Sequence, residues 1–254
     1  MLDKYSDIKK SILNNFSRFE FKYILNNQIR DEFENNIKNF LYNDPFVYQL
    51  KDQKYSVRSL YFDDQVYSAF HDKIDGIHTR HKFRLRSYSH NYEEKLNIFL
   101  EKKGRYNNLV YKNRYNLNDK SILCLKGNLL SKKITCQSNT DLITEFTYDY
   151  YKKRIKPIVL IDYHRRPYFS KYDPTFRITF DDNLRAMKSD QLYPKDHIHF
   201  KKILPGYTVV EIKFSNHIPS WFHKSIQYFQ LKRLSISKIC AGIEILELQS
   251  DENG

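Results

Sequence analysis

Basic residues two positions apart recur along this chain. Lys82, Arg84 and Arg86 alternate with Phe83 and Leu85, and Lys112 and Arg114 alternate with Tyr111 and Asn113. Elsewhere a carboxylate joins the pattern: Arg18, Glu20 and Lys22 between Phe19 and Phe21, Glu101 with Lys103, Arg177 with Asp181, and Glu211 with Lys213. Residues i and i+2 of a strand project to the same face, so each set presents its charges together. Arginine forks bind phosphate oxygens bidentately, and lysines add point charges beside them. The carboxylates Glu20, Glu101, Asp181 and Glu211 could hold a divalent metal that bridges phosphate oxygens. Phosphoryl transfer asks for little more than alignment and charge neutralisation, which such a set supplies.

An ordinary amphipathic sheet, apolar side inward and charged side in water, accounts for any one of these strands. Over six strands that account is strained, because the polar side is mainly Arg and Lys with isolated Glu and Asp. A barrel with its apolar side packed outward against helices would enclose the charges. An enclosed cationic lining repels itself unless a polyanion enters.

The elements that would position these residues are mostly strands. Period-2 segments cover Arg18–Leu25, Tyr55–Phe62, His81–Tyr88, Ile98–Lys103, Leu109–Tyr115, Ile158–Arg165, Phe176–Asp181 and Thr208–Phe214. Helical spacing appears over Gln28–Tyr42, Leu142–Ile155 and Pro219–Leu234. The fold class expected is α+β, a closed antiparallel β-barrel of about eight strands with flanking helices. No linker or repeat divides the chain, so residues 1–254 read as one domain with its core at about 15–248. Asp63 and Asp64 read as caps of the turn after a strand, and Arg165 falls in phase with the inward positions.

Composition narrows the partners. With 43 Lys and Arg against 30 Asp and Glu, the net charge of +13 favours anions: nucleic acid, acidic membrane or polyphosphorylated substrates. An apolar content of 41% excludes intrinsic disorder as the main state. Cys124, Cys136 and Cys240 lack metal-ligand spacing and suit a reducing compartment, and the 9 histidines show no paired spacing. No signal peptide and no apolar run of about 20 residues is seen. A cytoplasmic protein without a membrane span is expected, with a membrane-protein partner left open. Aromatics and cations fall on opposite strand faces, which argues against nucleic acid as the partner.

Glu20-x-Lys22 resembles the second half of the ExExK signature of the CYTH, or triphosphate tunnel metalloenzyme, superfamily, with Arg18 at its first position. The ordered set RFEFKY (18–23), SLYFDD (59–64), RLRSY (84–88), FLEKKG (99–104), VYKNR (110–114), FRITFDD (176–182), VVEIKF (209–214) and SKIC (237–240) resembles the VTC domain. That domain is the catalytic module of the vacuolar transporter chaperone complex and of stand-alone bacterial relatives. The resemblance implies a polyphosphate polymerase that uses ATP and a divalent cation, Mn2+ or Mg2+. It implies Lys22, Arg84, Arg86, Lys103, Arg177 and Lys238 as catalytic phosphate ligands. Lys112, Arg114, Lys213 and Ser237 would add phosphate contacts, and Glu211, with Glu20 and Glu101, would be the metal carboxylates. Two other readings stay open: a tunnel-type triphosphatase, and a polyanion-binding module without turnover. Oligomeric state is not legible.

Overall fold

The computed structural model describes residues 19–50, 52–92, 97–107, 109–117, 141–195 and 199–248. Arg18, Cys124 and Cys136 lie outside them. In chain order the elements are β1 (Phe19–Asn26), α1 (Asn27–Ile37), β2 (Leu41–Asn43), β3 (Tyr55–Asp63), α2 (Ser68–Ile74), β4 (Thr79–Ser87), β5 (Ile98–Tyr106), β6 (Leu109–Leu117), α3 (Asp141–Lys152), β7 (Lys156–Ser170), β8 (Arg177–Lys188), β9 (Lys201–Lys202), β10 (Tyr207–Phe214), α4 (Ser220–Tyr228) and α5 (Lys238–Ile245). This is an α+β fold dominated by a large antiparallel sheet. The hydrogen-bonded order is β1-β10-β8-β7-β3-β4-β5-β6, with β2 on β7 and β9 on β8.

That order is an open path among the described residues, which corrects the closed barrel expected from the strand pattern. A physical reason is visible at β1. At Lys22 its outer backbone is engaged by the chain that follows α4: the Leu234 amide donates to the Lys22 carbonyl at 2.9 Å. The same excursion ends α4 at Tyr228 instead of Leu234. At the first helix the expected span also shortens: Asn26 caps α1 by accepting from the Ile29 amide at 2.8 Å, but Leu41 leaves to pair with Ser170 of β7. Asp63 and Asp64 do act as caps. Asp63 accepts from the Ala69 and Phe70 amides and Asp64 from Ser68, holding α2, a helix that the spacing of apolar residues did not reveal.

The chain falls into two compact units. Among the described residues, the first comprises those up to Ser56, Asp162–Arg185 and Lys202–Ala241; the second comprises those in Val57–Ile161, Ala186–Lys201 and from Gly242 on. Each has its own core on the apolar face of its strands. In the first, Tyr23, Leu25, Ile178, Phe180, Val210 and Ile212 meet Phe33 and Ile37 of α1 and Phe222 of α4. Phe33 makes edge contacts with Phe222 and Phe229 at 5.8 and 5.5 Å between ring centroids. In the second, Leu60, Phe62, Phe83, Leu85, Ile98 and Leu100 meet Leu142 and Phe146 of α3. Removing a buried Phe from such a cluster costs about 3–5 kcal/mol, so these faces are firmly assigned inward. The opposite face of each strand set is the charged one. On β5, Gly104 admits a close neighbour: a β-carbon would run into the ring of Tyr111, its cross-strand partner.

Candidate phosphate-binding faces

The charged face of the second unit is organised by register. Tyr61 of β3 stands opposite Arg84 of β4, Arg84 opposite Glu101 of β5, and Glu101 opposite Arg114 of β6. Glu101 is fully buried and is gripped from both sides. Arg84 Nε donates to its Oε2 at 2.7 Å, while Arg114 Nε and Lys112 Nζ reach Oε1 at 2.6 and 2.8 Å. Arg86 lies 3.9 Å from Oε2 and donates twice to Ser59 Oγ at 3.1 Å. Burial pushes the Glu101 carboxyl up, but Arg84, Arg86 and Lys112 outweigh it and hold the group well below the usual carboxylate range. One row further along, Lys103 stands between Lys82 and Lys112. Like charges opposite one another are unfavourable in a sheet, which makes this row attractive to an anion.

Lys112 records the excess of cations. Burial lowers its pKa most, Glu101 raises it, and Arg84 and Arg114 lower it again, leaving it at about 7. Arg114 lies over the Phe99 ring at 4.4 Å and donates to the Tyr88 hydroxyl at 2.5 Å, which fixes its guanidinium at the edge strand.

The first unit carries a more balanced face. Lys22 of β1 stands opposite Glu211 of β10, and Glu211 opposite Thr179 of β8. The Lys22 ammonium is 3.1 Å from Glu20, 3.7 Å from Glu211 and 3.2 Å from the Ile236 carbonyl. Burial opposes the charge on Lys22, yet Glu211 and Glu20 raise its pKa above the lysine range. Lys213 reaches Glu211 Oε1 at 2.9 Å, and Glu211 is held well below its usual range by Lys213, Lys22, Arg165 and Lys238 against the upward push of burial. Beside it, Asp181 is fully buried and receives both forks of Arg165 at 2.6 and 2.7 Å and Lys238 Nζ at 2.6 Å. The Tyr163 ring supports both cations, 4.8 Å from Lys238 Nζ and 5.4 Å from Arg165.

Lys238 opens α5, immediately after Ser237, and the segment joining α4 to α5 delivers it by running along β1. Arg233 on that segment covers the Phe21 ring at 3.6 Å. Arg177 stands apart from these ion pairs: it donates to Asp44 at 3.3 Å and lies 4.0 Å over the Phe169 ring.

Of the residues singled out from sequence, Lys22, Glu20, Glu211, Lys213 and Lys238 come together in the first unit. Arg84, Arg86, Glu101, Lys112 and Arg114 come together in the second. Sequence reasoning missed Tyr163 and Tyr61. Their parity with Arg165 and Ser59 was the available signal.

Among the described residues no group of three or more His, Cys, Asp or Glu could hold a metal by itself, and no helix is long and apolar enough to cross a membrane. A Mg2+-type site needs fewer protein ligands, since one or two carboxylates suffice when phosphates and waters complete the shell. Glu211 and Glu20, one on each side of the Lys22 ammonium at 3.7 and 3.1 Å, are the carboxylates on this face that such a site would draw on.

The α+β fold has a counterpart among solved structures. A candidate adenylate cyclase from Bacillus halodurans shares the fold with a TM-score of 0.51 at 10% identity, over 87% of this chain and 95% of that one. The PH1819 protein of Pyrococcus horikoshii aligns with a TM-score of 0.45 at 11% identity, over 91% of this chain and 99% of that one. No curated protein matches in sequence. The VTC domain model matches residues 17–247, and the chain belongs to the VTC-domain family.

Proposed function

We propose that this protein is a polyphosphate polymerase, transferring the terminal phosphate of ATP onto a growing polyphosphate chain with Mn2+ or Mg2+. The observation that carries the reading is the buried Glu101 with Arg84, Arg86, Lys112 and Arg114 around it and the Lys82–Lys103–Lys112 row beside it. Membership of the VTC-domain family supports it. Arg84, Arg86, Lys103, Lys112 and Arg114 bind phosphate oxygens. In the first unit Lys22, Lys213, Arg165, Lys238 and Ser237 do the same, with Arg177 at the margin. The two arginines with nitrogens on Glu101 are held in place for a ligand before it arrives, which limits the reorganisation that binding would require. Acidity at Glu211 keeps a carboxylate ionised next to Lys22, and Glu211 with Glu20 would hold the divalent cation. That cation would neutralise charge on the phosphate oxygens when bound. Glu101, fully buried with Arg84, Arg114 and Lys112 on its two oxygens, serves as the counter-charge of the basic face. The attacking group is the acceptor phosphate itself, so no side chain forms a covalent intermediate.

Incubating the protein with ATP and Mn2+ and separating the products on a gel stained for polyphosphate tests the reading. A ladder of long chains with ADP is expected, and Lys22→Ala and Arg84→Ala should each reduce it on the order of 100-fold or more. Orthophosphate without a ladder would move the protein to the triphosphatases. No turnover, with tight salt-sensitive binding of added polyphosphate, would leave a polyanion-binding module.

Lys112 adds a pH dependence. In the free protein it loses its charge as the pH rises through about 7, whereas a bound polyanion favours the ammonium and raises its pKa. Binding above pH 7 therefore takes up a proton, and affinity for polyphosphate should fall as pH rises from there. Calorimetry in buffers of different ionisation enthalpy measures the uptake. Lys112→Arg, charged throughout, should remove its share; an unchanged proton uptake in that variant would contradict the assignment.

A further inference from the structure

The phenol of Tyr61 occupies an unusual place on the second unit's basic face. Its side chain is almost wholly buried, in phase with Ser59 and directly opposite Arg84. Arg84 Nη1 donates to its oxygen at 2.8 Å, and the Arg84 guanidinium lies 5.6 Å from the ring centroid. That contact uses the oxygen as an acceptor and leaves the O–H proton without an acceptor among the described residues.

Two carboxylates on the same strand set do not serve. Asp63, on the same strand, is committed to the amides of Asp64, Ala69 and Phe70. Glu101, beyond Arg84, is committed to Arg84, Lys112 and Arg114. From β4 the groups facing Tyr61 are the cations Lys82, Arg84 and Arg86, and the β7 stretch in this unit contributes only the exposed Lys156 among charged residues. A buried hydroxyl whose proton has no acceptor is costly, and an anion brought in by the surrounding cations removes that cost.

We propose that Tyr61 is a further substrate-contacting residue, its hydroxyl donating to an oxygen of the phosphate chain that this face binds. The proposal rests on the phosphate-binding reading above and adds a contact that this reading does not include. The electrostatics agree. Burial raises the phenol's pKa, but Arg84, Arg86 and Lys82 outweigh it and bring it to about 7, so a tyrosinate is present in mildly alkaline solution until an anion restores the proton.

The test is a titration of the full chain with inorganic tripolyphosphate at mildly alkaline pH, following affinity and the near-ultraviolet absorbance of tyrosinate. Wild type should bind and lose the absorbance of one tyrosinate. Tyr61→Phe, which keeps the ring under Arg84, should show no absorbance change and bind about tenfold more weakly, the scale of one hydrogen bond to a charged group. Tyr88→Phe, whose phenol also sits on an arginine, should keep the absorbance change. If wild type binds and Tyr61→Phe matches it in both readouts, the hydroxyl is structural and the proposal falls alone. If wild type does not bind tripolyphosphate, the phosphate-binding reading falls and takes the proposal with it. Should Tyr61→Phe fail to fold, the wild-type signal decides: bound tripolyphosphate with no loss of tyrosinate overturns the proposal.

Discussion

Replacing Asp181 by Asn is expected to destabilise the protein by about 4–5 kcal/mol, the upper range for breaking a buried ion pair. The carboxylate is fully buried and is the shared acceptor of both forks of Arg165 and of Lys238. Both cations are themselves largely buried, at 12% and 8% side-chain exposure, so neither can turn to water when the charge disappears. An amide of the same shape keeps one acceptor but points its NH2 donor at cations. The desolvation cost of Arg165 and Lys238 then stands without its compensation.

Denaturant or thermal unfolding measures this, and for a chain of this size the melting temperature should drop by roughly 10 °C or more. The pH dependence has a definite sign. Arg165 and Lys238 overcome burial and hold the Asp181 carboxyl below its ordinary range. Its contribution is complete above the unfolded carboxylate pKa and is lost as pH falls through the folded value, so the gap between wild type and Asn should narrow in acid. A loss below about 1 kcal/mol at neutral pH would mean that the pair is solvated, and the account of this face would fail.

Glu101→Gln should cost less, about 3 kcal/mol, because two of its partners reach solvent: Lys112 and Arg114 are 40% and 35% exposed. Its diagnostic consequence is a different one. Without the carboxylate's charge, Arg84, Arg86, Lys112 and Arg114 repel one another around a neutral amide. Polyphosphate supplies the missing charge, and a ligand that binds only the folded state stabilises it in proportion to its affinity. Added polyphosphate should therefore raise the melting temperature of Glu101→Gln by more than that of wild type, and high salt should erase the difference. Equal shifts would show that Glu101 is not the counter-ion of the site. A variant as stable as wild type would show that the four cations are not held by it.

These outcomes depend on facts of two kinds. Side-chain parity along a strand is local: Lys22 with Glu20, Arg84 with Arg86, Lys112 with Arg114 and Glu211 with Lys213 share a face in any extended backbone. The chain alone therefore specified which residues are charged together, and the apolar partners that must be covered by helices. The α+β class and most strand positions followed from the same period-2 pattern. Partnership across strands is not local. Register decided that Glu101, and no other carboxylate, lies between Arg84 and Arg114. Asp181 meets Lys238 only because the chain after α4 leaves the helix at Tyr228 and follows β1 to the start of α5. Sheet closure was beyond the sequence for a related reason: alternation tells which face is buried but not what occupies the free edge of β1. At Lys22 that edge accepts a backbone hydrogen bond from Leu234, in a segment whose own pattern looked helical, and backbone groups carry no signature in a sequence.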